Sequence, residues 1–206
     1  MKPVAIAIFA SGQGSNFQAM VDAQRSGLLG LAEVKLLVCD KPNAPVIERA
    51  QRAGVETFVF QPKEYSSREQ YEMEIVSELQ QRSIDYVVLA GYMRLLTPTM
   101  VNPYMGRMIN IHPSLLPAFP GKDAIGQALD YGVKLTGVTV HFVDNGMDTG
   151  AIIAQQPAPI HPDDTADTLA ERIHHIEQTL YPRVVSQLAA GKIRLANDGR
   201  HVTVEQ

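Results

Sequence analysis

The sequence holds a single cysteine, Cys39, so no disulfide can close within the chain, and a reducing compartment is the simplest setting. Basic runs are missing too. Eighteen Lys and Arg stand against 22 Asp and Glu, a formal net charge of −4, which gives nucleic acid or an anionic membrane no electrostatic hold. None of the six histidines falls in an H-E-x-x-H or C-x-x-C type of spacing, so the familiar metal-ligand patterns are absent. His174 and His175 are neighbours on an expected helix and cannot share one face. No stretch is long and apolar enough to span a bilayer. Lys2 followed by Val4–Ala10 imitates a signal peptide, but polar Ser11–Asn16 comes next with no convincing cleavage site. A buried first strand and a cytoplasmic chain are expected instead. Repeats, low-complexity tracts and interdomain linkers are also lacking. With 45% apolar and 19% charged residues, the 206 residues read as one domain with a sizeable core.

What is present centres on residues 108–117. Met108, Ile109, Asn110, Ile111 and His112 form a short apolar strand that Pro113 must end. Side chains alternate along a strand, so Asn110 and His112 point one way and Ile109 and Ile111 the other. An amide and an imidazole side by side can stabilise an oxyanion and move a proton. Either residue alone reads as structural, with Asn110 pinning the turn and His112 satisfied by a carbonyl. The pair at i and i+2, before a Pro-Ser-Leu-Leu-Pro bend, favours function.

The remaining periodicity predicts an α/β fold: an open, mostly parallel twisted sheet with helices on both faces and antiparallel additions in the C-terminal half. Apolar runs place strands at Val4–Phe9, Val34–Cys39, Glu56–Phe60 and Ile84–Ala90. Helices are expected from a Ser15 or Asn16 cap to near Gly27, over Val46–Ala53, from a Ser66 or Ser67 cap to about Arg82, and around Ala128 and Leu129. A last long helix runs from a Thr165 cap to about Ala190. Gly137–Val143 alternates, which predicts a strand with one less-buried face, and Ala151–Ala154 forms another. Ile193–Val204 is expected to add short edge strands.

Three loops carry further chemistry. Ser11-Gly12-Gln13-Gly14-Ser15-Asn16 follows the first strand and opens a helix, a place suited to a phosphate. A P-loop is excluded because no Gly-Lys-Ser/Thr follows. The dinucleotide fingerprint is half present, with Phe17 at its third glycine and Asp40 imitating its ribose acid. A plain glycine-rich turn stays open. Gly91–Leu96 lies past the carboxyl end of a strand, where such sheets bind ligands. Its Arg94, one cation among large apolar groups, reads either as the ligand of a flat aromatic molecule with an anionic tail or as an arginine snorkelling from a core edge. Arg68, at a helix start, reads either as an anion ligand or as a solvated surface cation. His141 reads as a packed or exposed strand histidine. Asp144–Gly150 holds two acids, and the glycine-flanked Asp148 leaves a catalytic role open.

Taken together, Ala5–Asn16, Gly91–Leu96, Asn110-Ile-His112-Pro-Ser-Leu-Leu-Pro117 and His141–Gly150 resemble the phosphoribosylglycinamide formyltransferases. These are one branch of the folate-dependent formyltransferase family, and the similarity covers essentially the whole chain. Other branches, methionyl-tRNA formyltransferase and formyltetrahydrofolate deformylase, carry an extra domain for which 206 residues leave no room. The resemblance implies a Rossmann-like fold and transfer of a formyl group from 10-formyltetrahydrofolate to glycinamide ribonucleotide in purine synthesis, with no metal. It implies catalysis by Asn110, His112 and Asp148, and ribonucleotide binding by Gly14, Ser15, Asn16, His174 and Glu177. Arg68, Met93, Arg94, Leu95, Leu96, Asn110, Asp144, Asn145, Gly146, Met147 and Asp148 would seat the folate. Residues 1–100 would form the phosphate-binding half and 101–206 the catalytic and folate half, in a monomer or homodimer. Members often carry a longer polar or basic side chain at His174, and Lys122-Asp123-Ala124 replaces a histidine-containing stretch of some relatives.

Overall fold

Alternation along β1 (Val4–Ala10) decides which helix covers which face of the sheet. Ile6, Ile8 and Ala10 enter one core, while Ala7 and Phe9 enter a second. The computed structural model describes residues 2–205. In chain order the elements are β1, α1 (Ser15–Arg25), β2 (Ala32–Cys39), α2 (Pro45–Ala53), β3 (Glu56–Val59), α3 (Arg68–Gln81) and β4 (Tyr86–Leu89). There follow α4 (Pro98–Val101), β5 (Met108–His112), α5 (Ala124–Tyr131), β6 (Leu135–Phe142), β7 (Ile152–Pro159), α6 (Ala166–Ala189), β8 (Ile193–Leu195) and β9 (Val202–Val204).

β1 to β7 form one sheet in the order β3-β2-β1-β4-β5-β6-β7. Pairing is parallel from β3 to β5 and antiparallel from β5 to β7. This is the expected doubly wound, mostly parallel sheet with an antiparallel C-terminal half. Phe17 and Met20 of α1 and Leu169, Ile173 and Tyr181 of α6 pack on the first core; Tyr71, Ile75 and Leu79 of α3 and Met100 of α4 pack on the second. Among the described residues no helix is long and apolar enough to cross a membrane.

Three expectations are corrected. Neither Ser15 nor Asn16 caps α1. The N-cap is Gly14 at φ 74°, and no side chain caps the helix. A Cβ at Gly14 would lie 2.4 Å from Val46 Cγ2, so only glycine allows α2 this close to the turn. β6 has no less-buried face, because Thr139 and His141 are as buried as Val138 and Val140. The segment after β5 covers that side: Leu116 N–H donates to Thr139 Oγ1, whose hydroxyl donates to the Ser114 carbonyl. Finally, β8 and β9 form their own antiparallel hairpin beside β7 rather than extending the sheet. Pro157 and Pro159 offer no N–H along the β7 edge.

The Tyr181 hydroxyl, fully buried, donates to the Leu89 carbonyl at 2.8 Å and lies 3.2 Å from that of Ile109. α6 thereby pins the β4/β5 border that carries Asn110. Tyr181→Phe should cost about 1–2 kcal/mol, since two buried carbonyls lose their shared donor. By calorimetry that is a fall in Tm of roughly 2–8 °C. An unchanged Tm would show that the two carbonyls find other donors.

Candidate active site

Register sets the centre of the site. Across the β5/β6 pair, Asn110 stands opposite His141 and His112 opposite Thr139, all on the same side of the sheet. His141 Nδ1 lies 2.7 Å from the Phe142 carbonyl, so that nitrogen carries the proton. Burial lowers the His141 pKa below its ordinary 6.5, which keeps the ring neutral. Its Nε2 is then a lone-pair acceptor, and the Asn110 Nδ2 amide sits 3.3 Å away as donor. That contact fixes the Asn110 carboxamide with its NH2 end toward His141 and one N–H to spare.

His112 is only 5% exposed and has an acceptor near each ring nitrogen. Its Nε2 lies 2.8 Å from the Phe119 carbonyl, and its Nδ1 lies 3.5 Å from Asp148 Oδ2. The neutral ring that donates to Phe119 would turn a lone pair toward a carboxylate; the imidazolium would present N–H groups to both. Asp148 also approaches His141 Nε2, at 3.7 Å from its Oδ1, and its Oδ2 accepts the Gly121 N–H at 2.7 Å. Both residues facing His112 are left-handed without being glycine: Phe119 has φ 53° and Asp148 has φ 54°. The Ser114 hydroxyl, buried, holds the Phe119 turn by donating to the Ala118 carbonyl at 2.6 Å.

The glycine loop reaches the same cleft, since the C-terminal ends of β1, β4 and β5 are neighbours. Asn16, 8% exposed, donates from Nδ2 to Glu177 Oε2 at 3.1 Å, while its Oδ1 is buried with no partner. Burial pushes the Glu177 carboxyl up; the Asn16 amide and positive charge on His174 or His112 pull it down. Through its hydrogen bond with Asn16, Glu177 ties α6 to the glycine loop. His174 is exposed on the helix turn before it. On the loop itself, the Gly12 carbonyl accepts the Val46 N–H and the Gln13 carbonyl accepts from Arg49 Nε.

Residues 91–96 form a second loop along the cleft. Met93, Leu95 and, in the loop after β6, Met147 are apolar yet 67%, 53% and 50% exposed. Asp144 Oδ1 organises that later loop by accepting from Gly146 N–H and the Thr149 hydroxyl. Arg94 donates through Nε to Asp40 Oδ2 at 2.7 Å, with 41% of its side chain exposed and 1% of Asp40's. Arg68 is exposed at the first position of α3. Asp40 is thus already committed, to Arg94 and to the Ser11 hydroxyl, and is not a free ribose acid. The cavity of about 540 Å³ that opens above it, between Lys41, Lys63 and Arg94, is separate from the Asn110/His112 centre.

The catalytic, glycine-loop and Glu177 residues singled out in the sequence thus gather in one cleft. The sequence reading missed His141, the Phe119 carbonyl and the tie from Gly121 to Asp148. Only the pairing register, which a single chain does not state, would have set His141 against Asn110.

Residues 4–185 match the family model described as formyl transferase. The chain is 50% identical to the phosphoribosylglycinamide formyltransferase of Bacillus subtilis (strain 168) over 182 residues, 88% of this chain and 93% of that protein. The crystal structure of glycinamide ribonucleotide transformylase 1 from Geobacillus kaustophilus matches with a TM-score of 0.89 and 58% identity, covering 91% of this chain and 99% of that one. That from Symbiobacterium toebii gives a TM-score of 0.95 at 40% identity, covering 99% and 95%.

Because burial holds His141 neutral, its linkage has a definite sign. The unfolded chain titrates this ring near 6.5 and so binds more protons than the folded chain as pH falls through that value. Stability should therefore be full above pH 6.5 and decline below it. His141→Gln keeps an acceptor for Asn110 but cannot titrate, so its Tm should fall less steeply between about pH 7 and pH 5. Parallel declines in the two proteins would place the acid sensitivity elsewhere.

Proposed function

The chain belongs to the formyl transferase family, and from that premise we infer that it transfers the formyl group of 10-formyltetrahydrofolate to the amine of glycinamide ribonucleotide. The products are N-formylglycinamide ribonucleotide and tetrahydrofolate, in de novo purine synthesis. The observation that carries this reading is the cluster of Asn110, His112, His141 and Asp148 in a chain so similar to named enzymes of this activity.

The amine nitrogen attacks the formyl carbon, a C–N bond forms, and the carbonyl oxygen becomes an oxyanion. Asn110 offers the N–H not used by His141. His112, with Nε2 committed to Phe119, offers Nδ1–H on the Asp148 side. Each well-aimed donor is typically worth about 2.7–4 kcal/mol to such a transition state. On collapse the bond to the folate N10 breaks. One proton must leave the attacking amine and one must reach N10; Asp148 is proposed to receive the first and, through His112 or water, to supply the second. The substrate amine is the nucleophile, so no serine or cysteine is needed.

Gly14, Ser15 and Asn16 are proposed to hold the ribonucleotide phosphate at the uncapped start of α1, with Glu177 on the ribose and His174 beside it. The phosphate assignment is supported by the uncapped start of α1. The unpartnered Asn16 Oδ1 is an acceptor that suits a hydroxyl or amine donor of the ribonucleotide rather than its phosphate. The pterin and glutamate parts of the folate are assigned to Met93, Arg94, Leu95, Leu96, residues 144–148 and Arg68. Exposed Met93, Leu95 and Met147 suit a flat ring system, and Arg94 suits a carboxylate. The proposed split into a phosphate half (1–100) and a catalytic half (101–206) acts across one shared cleft, in a cytoplasmic monomer or homodimer.

The direct test incubates the protein with 10-formyltetrahydrofolate, with and without glycinamide ribonucleotide, and follows formyl-ribonucleotide and formate. Formyl-ribonucleotide should appear only with the acceptor. Formate released equally without it would identify a hydrolase instead.

Asp148→Asn separates proton transfer from binding. It keeps the volume and removes the base, so kcat and kcat/KM should fall together by about a hundredfold or more. The ribonucleotide KM should change little, because the proposed phosphate loop has its own anchors on α2. Near-normal turnover would reduce Asp148 to a loop carboxylate.

A further inference from the structure

Asp40, just past the C-terminal end of β2, touches neither the oxyanion centre nor the proposed phosphate ligands Gly14–Asn16, yet it joins Ser11, the first residue of the glycine loop, to the loop after β4. Asp40 is 3% exposed and Ser11 is 2% exposed. The Ser11 hydroxyl donates to Asp40 Oδ1 at 2.5 Å and accepts the Met93 N–H at 3.0 Å. Asp40 Oδ2 accepts Arg94 Nε at 2.7 Å. Ser11 also gives its backbone N–H to the Gly91 carbonyl. The Met93 amide, through Ser11, and the Arg94 guanidinium, directly, are thus held by one carboxylate just past the end of β2. The far end of the same loop is clamped separately, where buried Glu72 accepts the Thr97 N–H at 2.9 Å and the Thr97 hydroxyl.

We propose that Asp40 is a positioning residue for the formyl donor: it sets the conformation of residues 91–94 through Ser11 and Arg94, and so shapes the folate's seat without touching it. This rests on the reading above that this loop binds the folate. A carboxylate suits the task because it accepts from two donors at once and fixes the angle between them. Without it, the Ser11 hydroxyl is free to rotate away from the Met93 amide, and Arg94 loses its one ion-pair partner. Arg94 is partly exposed and can be solvated, so the loss falls on loop geometry more than on folding. The phosphate loop is insulated, since the Gly12 and Gln13 carbonyls are held by Val46 and Arg49 of α2.

The test is steady-state kinetics of Asp40→Ala, Ser11→Ala and the double variant, each with its Tm. In Asp40→Ala the folate KM should rise about tenfold or more while kcat and the ribonucleotide KM stay within about threefold. Because both side chains belong to one chain of hydrogen bonds, the double variant should be no worse than Asp40→Ala beyond about twofold. A purely structural carboxylate would lower Tm and leave both KM values alone, which would overturn the proposal. So would effects on folate KM that multiply in the double variant. Should Asp40→Ala not fold, Ser11→Ala alone must still raise the folate KM selectively, and an unchanged value refutes the idea. A wild-type protein that transfers no formyl group overturns the functional reading, and this inference with it.

Discussion

The chemistry of this molecule hangs on the antiparallel pairing of β5 with β6. A sheet that had stayed parallel past β5 would need a crossover before its next strand. Reversal instead brings His141 directly against Asn110 and Thr139 against His112. A slip of one residue along β5 would turn Asn110 and His112 into the core made by α1 and α6 and send Ile109 and Ile111 out of it; the same slip along β6 would exchange Thr139 and His141 with Val138 and Val140. Apolar burial on that face therefore enforces the polar register on the other. Gly150 keeps the end of the pair intact: a Cβ there would lie 1.8 Å from the Phe142 carbonyl oxygen.

Around that register, most of the polar groups that shape the cleft are satisfied by the protein itself. Ser114, Thr139 and Gln155 tie the segment after β5 to β6 and β7. Ser11, Asp40 and Glu72 tie the loop after β4. Among the described residues, Asn16 Oδ1 beside the uncapped start of α1 and the Tyr92 hydroxyl in the loop after β4 are buried without a partner. A buried polar group left unpaired typically costs on the order of 1–3 kcal/mol, and both lie on segments where a ligand is proposed. Backbone strain is partly gathered in the same cleft: of the four described non-glycine residues at positive φ, Ser83 and Asp123 lie elsewhere, but Phe119 and Asp148 both face His112.

The sheet was legible because its signals are local. Val4–Phe9 and Tyr86–Ala90 are continuous apolar runs of the kind buried on both faces, and β1 and β4 lie at the sheet's centre. Asn110 and His112 were legible for the same reason, since strand alternation needs no partner. Three features were not. The α1 cap was read from side-chain chemistry, but Val46 crowds the turn and makes Gly14 the cap. The outer face of β6 was read as half-exposed because nothing local says that residues 114–116 lie over it. Locally His141 reads as a packed or exposed strand histidine, and only non-local pairing gives it a polar neighbour.

Two imidazoles lie within reach of the same carboxylate, and their other contacts assign them different work. His141 spends its only proton on the Phe142 carbonyl, and burial disfavours a second. It is therefore left as an acceptor, able to orient an amide but not to supply a proton. His112 meets an acceptor at both nitrogens, the Phe119 carbonyl and the Asp148 carboxylate, an arrangement that only a doubly protonated ring satisfies with two donors. A formyl transfer needs both kinds of group: a fixed dipole where charge develops and a mobile proton where the amine and the leaving nitrogen exchange one. The same carboxylate can serve both because its oxygens are divided, Oδ1 toward His141 and Oδ2 toward His112 and the Gly121 amide. Division of labour between identical side chains thus comes from the hydrogen-bond acceptor each one faces, and those acceptors are set by register and by two strained turns.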